Sequence, residues 1–214
     1  MKHSFRLPIF AIGAAVLILI GAMAGSRWIS AAETPAGMTT IAAAPATGDG
    51  ALFTAFVSVL RNPRCMNCHS RGDFPRQGDD GHQHAMNVRR GADGHGVTAQ
   101  KCSTCHQEEN LPGAHLPPGA PHWGLPPPST PMIWQGLTDA QICRSIKNPK
   151  ENKNRDIDQL VEHLAKDELV AWGWNPGEGR NPIAMPRDEF VAKVKQWQAA
   201  GAPCPADTGK KAKS

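Results

Sequence analysis

The sequence predicts a mainly α-helical domain in which short helices are joined by long irregular loops. Apolar residues recur at helical spacing near both ends of the domain, in residues 51–61 and 187–200. Between them, Pro and Gly interrupt the chain too often for long regular elements, and residues 113–131, GAHLPPGAPHWGLPPPSTP, exclude a helix or a central strand. A segment this irregular needs more than its own apolar side chains to fold around.

The first 32 residues have the features of an export signal. MKHSFR is basic, and Leu7–Gly25 is almost wholly apolar. Ser30 and Ala32 are small residues of the kind that a signal peptidase reads, so we expect cleavage before Glu33. An uncleaved membrane anchor is the alternative, because about 18 apolar residues can span a bilayer. In both cases we expect the rest of the chain in the periplasm.

The chain after this signal divides into a linker, one domain and a tail. Residues 33–50 form a low-complexity linker, residues 51–205 the domain, and residues 206–214 a basic tail that we expect to be disordered. The signal carries three cations and no acid, so without it the formal net charge falls from +4 to +1. The remaining cluster of lysines lies in the tail, so the sequence does not indicate a nucleic-acid surface.

Four helices are predicted within the domain. The first is amphipathic, covers residues 51–61 and runs directly into a cysteine motif. The two middle helices start at Thr138 and Asp156, because each is a capping residue with Gln three positions later. The last helix runs from about residue 187 to 200 and ends at Gly201, with one face formed by Phe190, Val194 and Trp197.

Two copies of a C-x-x-C-H motif dominate the centre of the chain: RCMNCH at residues 64–69 and KCSTCH at residues 101–106. In an exported chain this motif predicts covalent attachment of haem c. The two sulfurs can add to the two vinyl groups on one edge of the ring, and the next residue places an imidazole beneath the iron. We therefore predict a haem-dependent, cytochrome c-like domain with two covalently bound haem c groups, attached through Cys65, Cys68, Cys102 and Cys105.

Two other uses of these cysteines fit the sequence less well. A zinc site formed by all four would leave both histidines of the motifs unexplained, and the two pairs are widely separated for a zinc ribbon. A thioredoxin-like dithiol would need a preceding strand and a following helix, which Pro63 and Gly72 do not favour.

Each motif predicts the iron ligand on one side of its haem and gives no information about the ligand on the other side. His69 and His106 are the predicted proximal ligands, and Pro75 and Pro112 could offer carbonyl groups to their second ring nitrogens. The sequence constrains the distal ligands less. They decide the reduction potential and the role of each haem, because an iron without a distal protein ligand permits chemistry on a small molecule. HQHAM at residues 82–86 packs three ligand-capable side chains together. The preferred distal ligands are His84, His82, His163 and Met132.

Two cysteines remain outside the motifs. Cys143 and Cys204 lie in a segment expected outside the cytoplasm, where a leftover pair favours a disulfide. We predict that this bond joins the segment after the last helix to the helix near Ile142. Two buried free thiols are the alternative.

Over residues 50–205 the chain resembles the small di-haem c-type cytochromes known as isoquinoline 1-oxidoreductase subunits. The segments that carry the resemblance are NPRCMNCH, HAMNVRRGADGHG, KCSTCHQEENLPGAH, PPGAPHW, PMIWQGL, WGWNPGEGR and GAPCP. The resemblance implies an electron-transfer partner for a molybdenum hydroxylase. No motif for a molybdopterin site is found in this sequence.

Two classes of function are consistent with these features. The first is a non-catalytic electron carrier with both haems six-coordinate, passing electrons from a molybdenum hydroxylase to the respiratory chain. The second is a small di-haem enzyme of the peroxidase kind with one open haem, for which this chain is short. A haem-based sensor is a third, weaker alternative, since the sequence offers no output module.

Overall fold

The computed structural model describes residues 50–209. The predicted signal, nearly all of the linker and the lysines of the tail lie outside the described residues. Residues 50–209 form seven α-helices: α1 Ala51–Thr54, α2 Val57–Leu60, α3 Pro63–Met66, α4 Asp139–Lys147, α5 Ile157–Lys166, α6 Glu168–Ala171 and α7 Arg187–Ala199. None of these helices is long and apolar enough to cross a membrane.

The first predicted helix is interrupted. At Phe56 the backbone leaves the helical region, with φ −129°, and its amide bonds to Phe53 O only three residues back. The segment therefore forms α1 and α2 in place of one continuous helix. The prediction was wrong in this detail because helical spacing of apolar residues does not reveal a local break between two turns. Asn62 then caps α3, with Pro63 at its first position.

The two middle helices begin as predicted. Thr138 caps α4 and Asp156 caps α5, and in each case the side-chain oxygen of the Gln three residues later accepts a hydrogen bond from the backbone amide of the capping residue. Both are complete capping boxes, which satisfy amide groups that a helix start leaves free.

The core lies where α1 and α2 pack against α7. Phe53 and Phe56 contact each other edge to face, with ring centroids 5.0 Å apart, and each ring centroid lies 5.8 Å from that of Trp197. Trp197 is fully buried, as its predicted place on the inner face of α7 requires. Apolar residues of α4 and α5 complete this core.

The centre of the chain is mostly loop, as predicted, and contains two small antiparallel hairpins. Strand β1 (Arg76–Gln77) pairs with β2 (His82–Gln83), and β3 (Gly96–Val97) pairs with β4 (Gln100–Lys101). Gly94 precedes the second hairpin with φ +86°, and its carbonyl accepts a hydrogen bond from the amide of Leu125. A Cβ at Gly94 would lie 2.1 Å from Leu125 O, so glycine is required for this approach.

The C-terminal segment is held against α4. Cys143 and Cys204 form the predicted disulfide. Further along, Asp207 accepts hydrogen bonds from Thr138 Oγ1 at 3.0 Å and from the Arg144 guanidinium at 2.7 Å. The start of the predicted disordered tail is therefore anchored to the same helix.

Candidate functional site

Both motifs fold into the same backbone turn. In the first, the amides of Cys68 and His69 bond to Cys65 O at 3.2 and 3.1 Å. In the second, the amides of Cys105 and His106 bond to Cys102 O at 3.2 and 3.0 Å. Each turn keeps its two cysteines and its histidine within one helical turn of each other.

The four motif cysteines are unbridged, in contrast to Cys143 and Cys204. Burial raises the pKa of the Cys65 thiol to about 12 and that of Cys68 to about 11, and burial also raises the pKa of Cys102. Dithiols of the thioredoxin type depend on a lowered thiol pKa. The first motif therefore has the opposite electrostatic character from a redox-active dithiol.

His69 is fixed on two sides. Its Nδ1–H donates to Met132 O at 2.8 Å, and its ring stacks on Trp134 with centroids 3.7 Å apart and planes inclined by 8°. Burial lowers the pKa of His69 to about 4. A neutral imidazole whose Nδ1 carries the proton keeps the Nε2 lone pair for a metal ion.

His106 has an equivalent environment built from different residues. Its Nδ1–H donates to Pro118 O at 2.7 Å, and its ring stacks on Trp123 with centroids 4.4 Å apart and planes inclined by 7°. Burial lowers its pKa as well. Trp123 in turn meets Trp172 edge to face, at 4.9 Å.

The prediction that Pro75 and Pro112 accept the hydrogen bonds of these histidines was therefore wrong. Met132 and Pro118 supply them in place of Pro75 and Pro112. Pro75 O accepts the amide of His84, which follows β2. The two stacked tryptophans were also missed, and the available signal was that PMIW and PPGAPHW both end in Trp shortly after the accepting carbonyl.

A cavity of about 270 Å³ opens beside the first motif. Cys65, Cys68 and His69 line it, and so do apolar side chains of α2, α5 and α7, together with Trp123 and Trp134. Its donor set and apolar walls fit a covalently attached haem. Among residues 50–209, no three His, Cys, Asp or Glu side chains converge on a common point that would hold a bare metal ion.

One member of HQHAM, His84, makes a ring contact with a motif histidine. The ring centroids of His84 and His106 are 6.1 Å apart, and His84 Nδ1 bonds to Ala85 O at 2.8 Å. His82 instead pairs with the exposed Asp80 in the turn of the first hairpin, at 2.6 Å. Met86 is 76% exposed.

The remaining two predicted distal ligands both line the cavity beside His69. His163 projects from α5, with Nδ1 3.1 Å from Asp167 Oδ2, and this contact is the main cause that lowers the pKa of Asp167 to about 2. Met132 is buried, and its sulfur lies 3.6 Å from Ser145 Oγ, which donates its hydrogen to Glu151 Oε2 at 2.5 Å. Since its carbonyl receives His69 Nδ1, its main chain lies on the side of the ring away from Nε2.

The two motifs are also close to each other. Trp123 lines the cavity together with Cys68 and His69 of the first motif, and its ring stacks on His106 of the second motif. Groups attached at the two motifs would therefore be neighbours.

Comparison of the chain with protein-family models, with curated proteins and with solved structures found no match.

Proposed function

We propose that this protein is an exported di-haem c-type cytochrome that carries electrons. The observation that carries the proposal is the duplicated environment of His69 and His106. Each lies on a turn with two unbridged cysteines, gives its Nδ1–H to a carbonyl, and stacks on a tryptophan. In two separate segments of the chain, a histidine with a free Nε2 thus lies next to two thiols. When bound there, haem would supply a one-electron Fe(III)/Fe(II) couple.

His84 is the distal ligand we propose opposite His106. Metal–imidazole bonds are about 2 Å long, so two imidazoles on opposite sides of one ion have ring centroids about 6 Å apart. The separation of His84 and His106, 6.1 Å, agrees with that value. The bond from His84 Nδ1 to Ala85 O leaves Nε2 as the ligating atom.

For His69 we propose His163 as the distal ligand, in preference to Met132. His163 lines the same cavity, and its Nδ1 is occupied by Asp167, which leaves Nε2 available. Met132 has its carbonyl bonded to Nδ1 of the proximal histidine, which places its main chain on the side of the ring away from Nε2. With imidazole on both sides of each iron, the potentials would lie below those of a His/Met cytochrome.

The chain's resemblance to isoquinoline 1-oxidoreductase subunits supplies the proposed redox partner. A molybdenum hydroxylase withdraws two electrons from each substrate molecule, and a protein with two neighbouring one-electron centres can accept both. The contact that both motifs share with Trp123 supports exchange between these centres. The respiratory chain is the proposed acceptor, and the periplasm the proposed compartment.

A di-haem enzyme of the peroxidase kind is the second candidate, because the cavity beside His69 contains a paired His163 and Asp167. Such a pair could move a proton at a bound peroxide if His163 did not ligate iron.

Carbon monoxide binding to the fully reduced protein separates the two candidates. The carrier predicts no spectral change, because both irons already have two protein ligands. Binding at one haem would contradict the carrier and support the enzyme. The His163→Ala variant is the positive control, since under the carrier assignment it opens the first haem alone and should bind one equivalent.

A further inference from the structure

Two buried hydrogen-bond donors in the cavity wall have no partner among residues 50–209. Trp134 is 5% exposed, and its Nε1–H donates to nothing within residues 50–209. The hydroxyl of Thr130, four residues earlier, is likewise buried without a partner. Both residues line the cavity beside His69. A buried donor left unpaired has lost its water without gaining a partner, so two on one wall point to an acceptor that the chain itself does not provide.

The two acidic residues of this wall already have hydrogen-bond partners within the chain. Glu151 accepts from Ser145 Oγ at 2.5 Å, and Asp167 is paired with His163. Two cations on the same wall, Lys153 and Arg155, form no salt bridge with residues 50–209. The wall therefore combines unpaired donors with two cations that form no ion pair within the described residues.

The loop that carries these cations is held in place by Asn152. This side chain is 1% exposed, donates to Ile146 O and Arg155 O at 2.9 Å each, and accepts the amide of Arg155. Lys153 and Asn154 follow it with φ of 61° and 57°, a conformation that non-glycine residues adopt at a cost. The polar core of this loop fixes Arg155 at the cavity.

We infer that Thr130 and Trp134 form a carboxylate-binding subsite, with Lys153 and Arg155 supplying positive potential. Its ligand is a propionate group of the haem held by Cys65, Cys68 and His69, so this inference rests on the proposed function. A carboxylate offers about four acceptor sites, enough for both donors at once. Hydrogen bonds from neutral donors to a charged acceptor are stronger than those between neutral groups.

The test compares Thr130→Val and Trp134→Phe with Ser129→Ala, which removes an exposed hydroxyl from the neighbouring position. Each holo-protein is studied by redox potentiometry and by redox-induced infrared difference spectroscopy in the carboxylate region. The two midpoint potentials are assigned with the Cys102→Ala/Cys105→Ala variant, which keeps the first haem alone. Thr130→Val is nearly isosteric and leaves the stack on His69 intact, so it remains informative if Trp134→Phe folds poorly.

Removal of a donor should leave more of the propionate charge uncompensated near the iron, which favours Fe(III). We expect the midpoint of the first haem to fall in both variants. In a variant that combines Thr130→Val with Trp134→Phe, the redox equilibrium of the first haem should change about tenfold, or about 59 mV for a one-electron couple. The carboxylate bands should shift, while the second haem and Ser129→Ala stay unchanged. If both variants match Ser129→Ala in midpoint and carboxylate bands, the subsite is wrong. Absence of haem from the wild type would instead contradict the proposed function.

Discussion

At the scale of single residues, the two motif histidines depend on acceptors that are distant in sequence. The carbonyl that accepts the hydrogen bond of His69 lies 63 residues away, at Met132. The carbonyl that accepts the hydrogen bond of His106 lies 12 residues away, at Pro118. No fixed offset from a C-x-x-C-H motif encodes such partners, which explains why Pro75 and Pro112 were wrong. The motifs themselves could be recognised from the sequence because their residues are adjacent in the chain. Their second neighbours depend on how the loops fold back.

The first prediction concerns the distal position opposite His106. Replacing His84 with Ala should turn one haem high-spin and allow it to bind carbon monoxide, because the iron loses its sixth ligand. Electron paramagnetic resonance of the oxidised protein and a carbon monoxide difference spectrum measure both effects.

His82→Ala is the matched control for that experiment. His82 is two residues away in the same segment, but it pairs with the exposed Asp80. The His82→Ala variant should keep two low-spin haems. If His84→Ala also kept them, the assignment of His84 would fail, and His115, His122 or Met185 would have to be considered.

At the scale of elements, the sequence was most informative where local chemistry alone decides the outcome. The starts of α4 and α5 follow from capping residues, and the end of α7 at Ala199 precedes Gly201 as expected. The break at Phe56 was not predictable, since it has no proline or glycine. The stacked tryptophans were missed for a related reason: they lie in irregular loops, where periodicity gives no information about which side chain faces inward.

The second prediction concerns the link between α4 and the segment after α7. Removing the disulfide by changing Cys143 and Cys204 to Ala should lower the free energy of unfolding by about 4 kcal/mol, because the closed loop spans 61 residues. Denaturant titration of the holo-protein measures this loss.

Haem content serves as the control for the disulfide variant. Both bridge cysteines lie outside the motifs, so the variant should attach as much haem as the wild type. A variant as stable as the wild type would show that Asp207 and the buried Trp197 suffice to hold this segment.

At the scale of the whole molecule, residues 50–209 combine an apolar helical core with a loop-rich centre that carries both motifs. The centre has little apolar packing of its own, and its two hairpins have strands of only two residues. Its ordering is therefore expected to depend on the groups attached at Cys65, Cys68, Cys102 and Cys105.

The third prediction follows from this division. Protein produced without haem should lose the cooperative melting of the holo-protein, because the apolar wall of the cavity beside His69 would have no group to pack against. Circular dichroism and calorimetry of both forms measure the difference. A cooperative melt of the apo-protein near that of the holo-protein would show that the polypeptide folds by itself.

The central claim is that both motifs attach haem covalently, and intact-protein mass spectrometry tests it most directly. The protein should be produced with a cytochrome c maturation system, alongside the Cys65→Ala/Cys68→Ala and Cys102→Ala/Cys105→Ala variants. We predict a wild-type mass equal to the polypeptide plus two haems, and a mass corresponding to one haem in each double variant. A wild-type mass equal to the bare polypeptide, or to a zinc adduct, would contradict the account.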